Sequence, residues 1–268
     1  MTVREWVYER EITGHSTFSY ADAVSALPSY SKSVLSTELN RLSRSGVIVS
    51  VHRGFYVTIP TRYKKSGVVP PLYYVNEMFK HLRKPYYVSL LSAAQFFGAA
   101  HQKPQVDFVT TVLPRMSNSN AKNPILRWVY RRCIPEKLIL EKNGEGGVVR
   151  YSSPVLTMMD LVQYHHLVGG MSVAATVIAE LAESIDFSAS SLDPVFSAIA
   201  GRTIQRAGYI LDEVLGEHTL AKDLYEAFKV HGVRMSLIPL VPSAKAPSRN
   251  VCDKWKILVN EEVEPDEL

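Results

Sequence analysis

The chain has 268 residues, 46% of them apolar and 21% charged, with a formal net charge of +4. That length and apolar content allow more than one buried core and exclude a chain that is disordered throughout. Only Cys133 and Cys252 are present, far apart and with no CxxC partner, which argues against a disulfide framework or a structural zinc and suits a reducing cytoplasm.

In chain order, Val3 to Thr13 is expected to form a first helix with Trp6 and Val7 inward and Gly14 as its stop. The same stretch carries Arg4, Glu5, Glu9, Arg10 and Glu11 in place of an apolar h-region, so no signal peptide is expected there. Phe18 is a short extended anchor. Ser19 and Asp22 make a capping box that opens a second helix ended by Pro28. After the Pro28-Ser29-Tyr30 turn, Ser31 to Ser45 is a third helix. At 100° per residue it gathers Val34, Leu35, Leu39 and Leu42 into a stripe about 140° wide. Ser33, Ser36, Thr37, Asn40 and Arg44 fall on another face. Val47 to Val51 and Phe55 to Ile59 are two β-rich runs around His52-Arg53-Gly54. Three helices and a tight β-ribbon in this order resemble a winged helix-turn-helix.

Charge bears on that resemblance. Residues 1–65 hold 9 Lys/Arg against 5 Asp/Glu, and residues 28–65 hold 7 against 1, so the net +4 of the whole chain sits here and the remainder sums to zero. A localised basic footprint beside hydrogen-bonding side chains suits double-stranded DNA. The candidate DNA-binding residues are Ser31, Lys32, Ser33, Ser36, Thr37, Asn40, Arg41, Arg44, His52 and Arg53. Ser36, Thr37, Asn40 or Arg44 are expected to set sequence preference, and Lys32, Arg41 or Arg53 to grip phosphate. An ordinary solvated face of an α+β domain has the same pattern.

Pro60 to Pro71 is rich in Pro, Gly and Lys and marks a boundary, giving a DNA-binding domain at 1–65 and a second domain at 66–268. In the second domain, helices are expected over Leu72 to Leu82 and Tyr86 to Gly98. Strands follow over Val106 to Val112, Ile125 to Cys133, Lys137 to Leu140 and Val148 to Tyr151, the last after a turn at Asn143 to Gly147. From Pro154 the pattern is helical through His231, and Trp255 to Val259 reads as a terminal strand. The fold class is therefore α+β, an N-terminal winged helix-turn-helix followed by a larger mixed α/β domain. The longest uncharged run, Leu161 to Ala179, is interrupted by polar residues and a glycine pair, which excludes a membrane span.

Catalytic signatures are missing. There is no Gly-Ser pair or Asp-x-Asp for a nucleotidyltransferase, and the glycines at 144, 146 and 147 lack the GK[ST] of a phosphate loop. His165-His166 are adjacent and cannot ligate one metal from a single helix face. His101 reads as a structural hydrogen bonder, and Arg202 and Arg206 as a solvated or salt-bridged face that could also take an anion. No catalytic residue, metal or cofactor is assigned.

The run His52 to Pro60, Gly67 to Pro71, Tyr86 to Ala94, Gly98 to Gln102 with Pro104-Gln105, then Arg206-Ala207-Gly208-Tyr209-Ile210-Leu211 and Trp255 to Asn260, is similar to the AbiEi-type antitoxins of bacterial abortive-infection toxin–antitoxin operons. Ala207 departs from the Leu of the usual Arg-Leu-Gly-Tyr segment. The resemblance implies a winged helix that binds inverted repeats in its own promoter, and a C-terminal domain that counters a nucleotidyltransferase toxin without a stable protein complex. It implies no catalytic residue. Two other readings remain at this level: a winged-helix transcription factor with a ligand-sensing second domain, and an enzyme acting on nucleotides through His101 or Arg206.

Overall fold

The computed structural model describes residues 1–99, 105–116, 126–187, 189–244 and 250–266, so His101 and residues 117–125 lie outside the described residues. The fold is mixed α+β and divides into two compact units, one of Met1–Tyr86, Thr111–Arg132 and Glu141–Arg150, the other of Tyr87–Thr110, Cys133–Leu140 and Tyr151–Leu268.

In the first unit, helix α1 (Val3–Ile12) starts at a capping box between Thr2 and Glu5. Strand β1 (Thr17–Ser19) leads into α2 (Tyr20–Ala26), whose Ser19–Asp22 capping box is the one expected from sequence. Burial works to raise the Asp22 carboxyl, but the Ser19 N–H and hydroxyl and the nearby Arg10 and His81 hold it below the ordinary value. Helix α3 (Lys32–Arg44) is capped by Ser31, whose hydroxyl accepts from the Val34 N–H. Strands β2 (Ile48–His52) and β3 (Phe55–Thr58) form a hairpin, and β1 pairs antiparallel with β3 in a sheet of order β1-β3-β2. Gly54, at φ +72°, permits the turn at the tip. Leu35, Leu39 and Leu42 of α3 pack into one core with Val3, Trp6, Val7, Phe18, Leu27 and Ile48. Trp6 meets Phe18 edge-on at 5.0 Å, and Phe18 stacks on Tyr56 at 5.3 Å.

Further along the unit are α4 (Val75–Leu82) and the first residue of β4 (Tyr86–Val88). The glycine turn at 145–146 closes β7 (Ile139–Gly144) and β8 (Gly147–Ser152), as the sequence suggests. A Cβ on Gly146 would stand 1.8 Å from the Tyr73 carbonyl oxygen, so that turn must be glycine for the chain to approach so closely. Beside it, Arg62 makes a two-pronged ion pair with Glu145.

Strand β4, with β5 (Asp107–Val112), β6 (Leu126–Arg131), β7 and β8, makes a five-stranded sheet of order β6-β5-β4-β8-β7 in which β4 runs parallel to β8. The helix expected over Tyr86 to Gly98 is thus a strand followed by short α5 (Leu90–Ala94) and a 3₁₀ turn. Tyr86, Tyr87 and Val88 are all buried, and a continuous apolar run looks alike in a buried strand and a buried helix.

The second unit is mainly helical: α6 (Pro154–Gln163), α7 (His165–Val168), α8 (Met171–Leu181), α9 (Ala189–Ala198), α10 (Gly201–Tyr209) and α11 (His218–Val230). Strands β9 (Ile238–Pro239), β10 (Val251–Cys252) and β11 (Ile257–Leu258) form a small sheet of order β10-β11-β9. No helix among the described residues is long and apolar enough to cross a membrane.

Candidate nucleic-acid interface

Helix α3 is amphipathic because its leucines recur at 35, 39 and 42, and the inward stripe is narrower than expected from sequence. Leu35, Leu39 and Leu42 are at most 1% exposed, whereas Val34 is 49% exposed. Ser31, Lys32, Ser33, Ser36, Thr37, Asn40, Arg41 and Arg44 are all exposed. They are not chemically equivalent. Ser31 is occupied as the cap and shares a 3.0 Å hydrogen bond with Ser33 Oγ. The Thr37 hydroxyl donates to the Ser33 carbonyl at 3.0 Å. Arg41 pairs with Glu38 at 2.9 Å, an exposed i,i+3 contact of small energetic weight. Lys32, Ser36, Asn40 and Arg44 keep side chains without a partner among the described residues, a cluster of two cations, a hydroxyl and an amide.

At the hairpin, Arg53 is exposed at the tip, one residue before Gly54. His52 is half-buried, with Nδ1 3.3 Å from the Arg53 carbonyl. Burial pushes its imidazole below the ordinary histidine value, and His81 adds to this against the opposing carbonyl contact. Arg53 is the permanent positive charge of this turn.

The second unit contains a polar cluster that sequence reasoning missed. Asp212, 6% exposed, lies in the π-helical turn Ile210–Val214 that continues α10. It accepts from Trp255 Nε1 at 2.8 Å and Lys254 Nζ at 2.5 Å, and its other oxygen is 2.9 Å from His218 Nδ1. Burial acts to raise its carboxyl, but these three partners outweigh it and hold the group below the ordinary carboxylate value. Gln205 Nε2 reaches the carbonyls of Ser236, Trp255 and Lys256 at 2.6–3.1 Å. Gly208 admits the Trp255 ring, since a Cβ there would lie 2.1 Å from Cζ3. Asn260 clamps the chain at Val241 through both its amide oxygen and nitrogen. The Arg206 to Leu211 and Trp255 to Asn260 segments are in this way parts of one packing unit. The only signal in the sequence was the pairing of a helical glycine with a distant tryptophan.

The other candidates have structural surroundings. His165 is buried with Nδ1 3.0 Å from the Val162 carbonyl, while His166 is exposed. Arg206 donates through Nε to the Pro239 carbonyl at 3.0 Å, and Arg202 is exposed. Burial and the neighbouring Arg202 lower the Arg206 pKa without removing its charge at pH 7. Cys133 is exposed and Cys252 is half-buried. No group of three or more His, Cys, Asp or Glu side chains that could hold a metal occurs among the described residues.

The architecture is shared with a solved structure, described as the crystal structure of RV2827C protein from Mycobacterium tuberculosis, with a TM-score of 0.65 and 14% identity over 94% of this chain and 90% of that one. At that identity the likeness defines the mixed α+β fold alone. No curated protein matches the chain. A family comparison likens the middle of the chain, from the five-stranded sheet through α10, to an antitoxin domain. Residues 87–213 match the AbiEi antitoxin C-terminal domain, the family that the sequence resembles.

Proposed function

We propose that residues 1–65 are a winged helix-turn-helix that binds double-stranded DNA at inverted repeats in the promoter of the chain's own operon. Residues 66–268 are the antitoxin domain, which counters a nucleotidyltransferase toxin. The chain is then a cytoplasmic autorepressor and antitoxin of an abortive-infection system that defends against phage, and it has no catalytic residue.

The observation that carries the DNA-binding half is the outward face of α3. Lys32, Ser36, Asn40 and Arg44 stand there in solvent with no side-chain partner among the described residues, on a helix anchored by three buried leucines. A turn separates α2 from α3, and a hairpin tipped by Arg53 follows, which favours α3 as the reading element and the hairpin as the wing. Charge supports the same division, because all of the net positive charge lies within residues 1–65.

The full-length protein is expected to retard its own promoter fragment at near-physiological salt in preference to a shuffled duplex of equal length. Co-expression with a nucleotidyltransferase encoded by the neighbouring gene should restore growth. Equal retardation of both duplexes would remove the autorepressor reading. Failure to restore growth would remove that toxin as the partner.

A further inference from the structure

The α3 face carries an apolar feature that its cations and amides do not use. Val34 is 49% exposed, one turn into the helix, where a β-branched side chain gains nothing from burial and little from helix propensity. Lone exposed aliphatics are common on protein surfaces, but this one has a neighbour of the same kind. Thr37 is three residues on, and its hydroxyl donates to the Ser33 carbonyl at 3.0 Å, so it has no donor left for a base edge and presents its methyl. Arg41 continues the strip at i+7. Val34, Thr37 and Arg41 thus lie on one flank of the exposed face, with the free amide of Asn40 and the hydroxyl of Ser36 on the other.

We infer that Val34, with the Thr37 methyl, reads the 5-methyl group of thymine in the major groove, so that the operator carries thymine where the N-terminal half of α3 enters it. The inference rests on the DNA-binding reading above. The base edges of the major groove offer hydrogen-bonding groups at every pair, and thymine adds one aliphatic surface, its methyl. An isopropyl group in line with Arg41, on a helix that also carries Lys32 and Arg44, is drawn to a polyanion by its surroundings and matches that methyl by its shape. This revises the role expected for Thr37 from sequence: its hydroxyl hydrogen is already used within the helix, and its methyl does the reading.

Promoter duplexes containing either thymine or deoxyuridine throughout differ in the 5-methyl groups and leave the hydrogen-bonding edges unchanged. Removing one buried methyl is expected to weaken binding by the full-length protein about fourfold. Val34→Ala should bind the thymine duplex several-fold more weakly than the wild type and distinguish the two duplexes by less than about twofold. Thr37→Ser, which keeps the hydroxyl, should lose part of the discrimination. An unchanged unfolding temperature of Val34→Ala would exclude misfolding, because the residue is not in the core.

Equal wild-type affinity for both duplexes, with promoter preference intact, would overturn the inference and leave DNA binding standing. Full thymine discrimination by Val34→Ala would do the same. If the wild type shows no preference for its promoter at all, the DNA-binding reading falls and takes this inference with it.

Discussion

Gly208→Ala sets two physical effects of opposite sign against each other. Gly208 is inside α10, where exchange for alanine should stabilise the helix by about 1 kcal/mol on propensity alone. The new Cβ, however, would stand 2.1, 2.2 and 2.6 Å from Cζ3, Cη2 and Cε3 of Trp255. The ring cannot swing away cheaply. It is fully buried, its Nε1 donates to Asp212, and its faces meet Tyr225 edge-on at 5.3 Å and Phe228 at 6.3 Å. Overpacking costs about 1–3 kcal/mol, and leaving a buried donor without its acceptor costs about 1–3 more. After the propensity gain, the net loss is about 1–5 kcal/mol, or a Tm lower by roughly 2–20 °C. Thermal and urea unfolding followed by circular dichroism would measure it. Trp255→Phe, which removes the clashing ring atoms, should make the double variant less destabilised than the sum of the single changes. A Gly208→Ala protein as stable as the wild type, or more so, would refute the close approach of α10 and Trp255.

Two further outcomes follow from charge. Asp212 has a folded pKa below its unfolded one, so its stabilisation is fully present above the unfolded value near 3.8 and is lost as pH falls through the folded value. Asp212→Asn should therefore cost about 1–3 kcal/mol at pH 7 and flatten the decline in stability below pH 4, whereas parallel acid curves would contradict the network. His52 likewise has a folded pKa below the ordinary 6.5, so its effect has the same sign but falls at higher pH. The histidine costs stability as pH drops from the unfolded value to the folded one, and an NMR titration should place its midpoint below 6.5. A midpoint above 6.5 would mean that the ring is exposed and available to phosphate.

The sequence made the N-terminal elements legible because each is written locally. Ser19 and Asp22 give a cap, leucines at 35, 39 and 42 give a buried stripe, and Gly54 gives a turn, all within a few residues of one another. Other features depend on residues that meet only after folding. Tyr86 to Val88 becomes a strand because β5 and β8 flank it, which no local pattern reveals. The Asp212 network joins residues about forty positions apart, and the need for glycine at 208 is set by Trp255. Within the candidate site the pattern placed Ser33, Ser36, Thr37, Asn40 and Arg44 on the exposed side of α3 and missed how their hydroxyls are used. Periodicity placed Val34 with the buried residues, where the structure exposes it, and residue type alone could not tell that the hydroxyls of Ser31 and Thr37 serve the helix itself.

The division of labour at the centre of this account is tested most directly by the salt dependence of promoter binding, comparing the full-length wild type with Arg44→Ala combined with Arg53→Ala. Each phosphate contact removed lowers the slope of log K against log salt by about 0.9. The double variant should therefore bind its promoter at least tenfold more weakly at near-physiological salt, with a slope shallower by about 1–2 units. An unchanged affinity and slope would contradict the assignment of α3 and its hairpin as the DNA-reading surface.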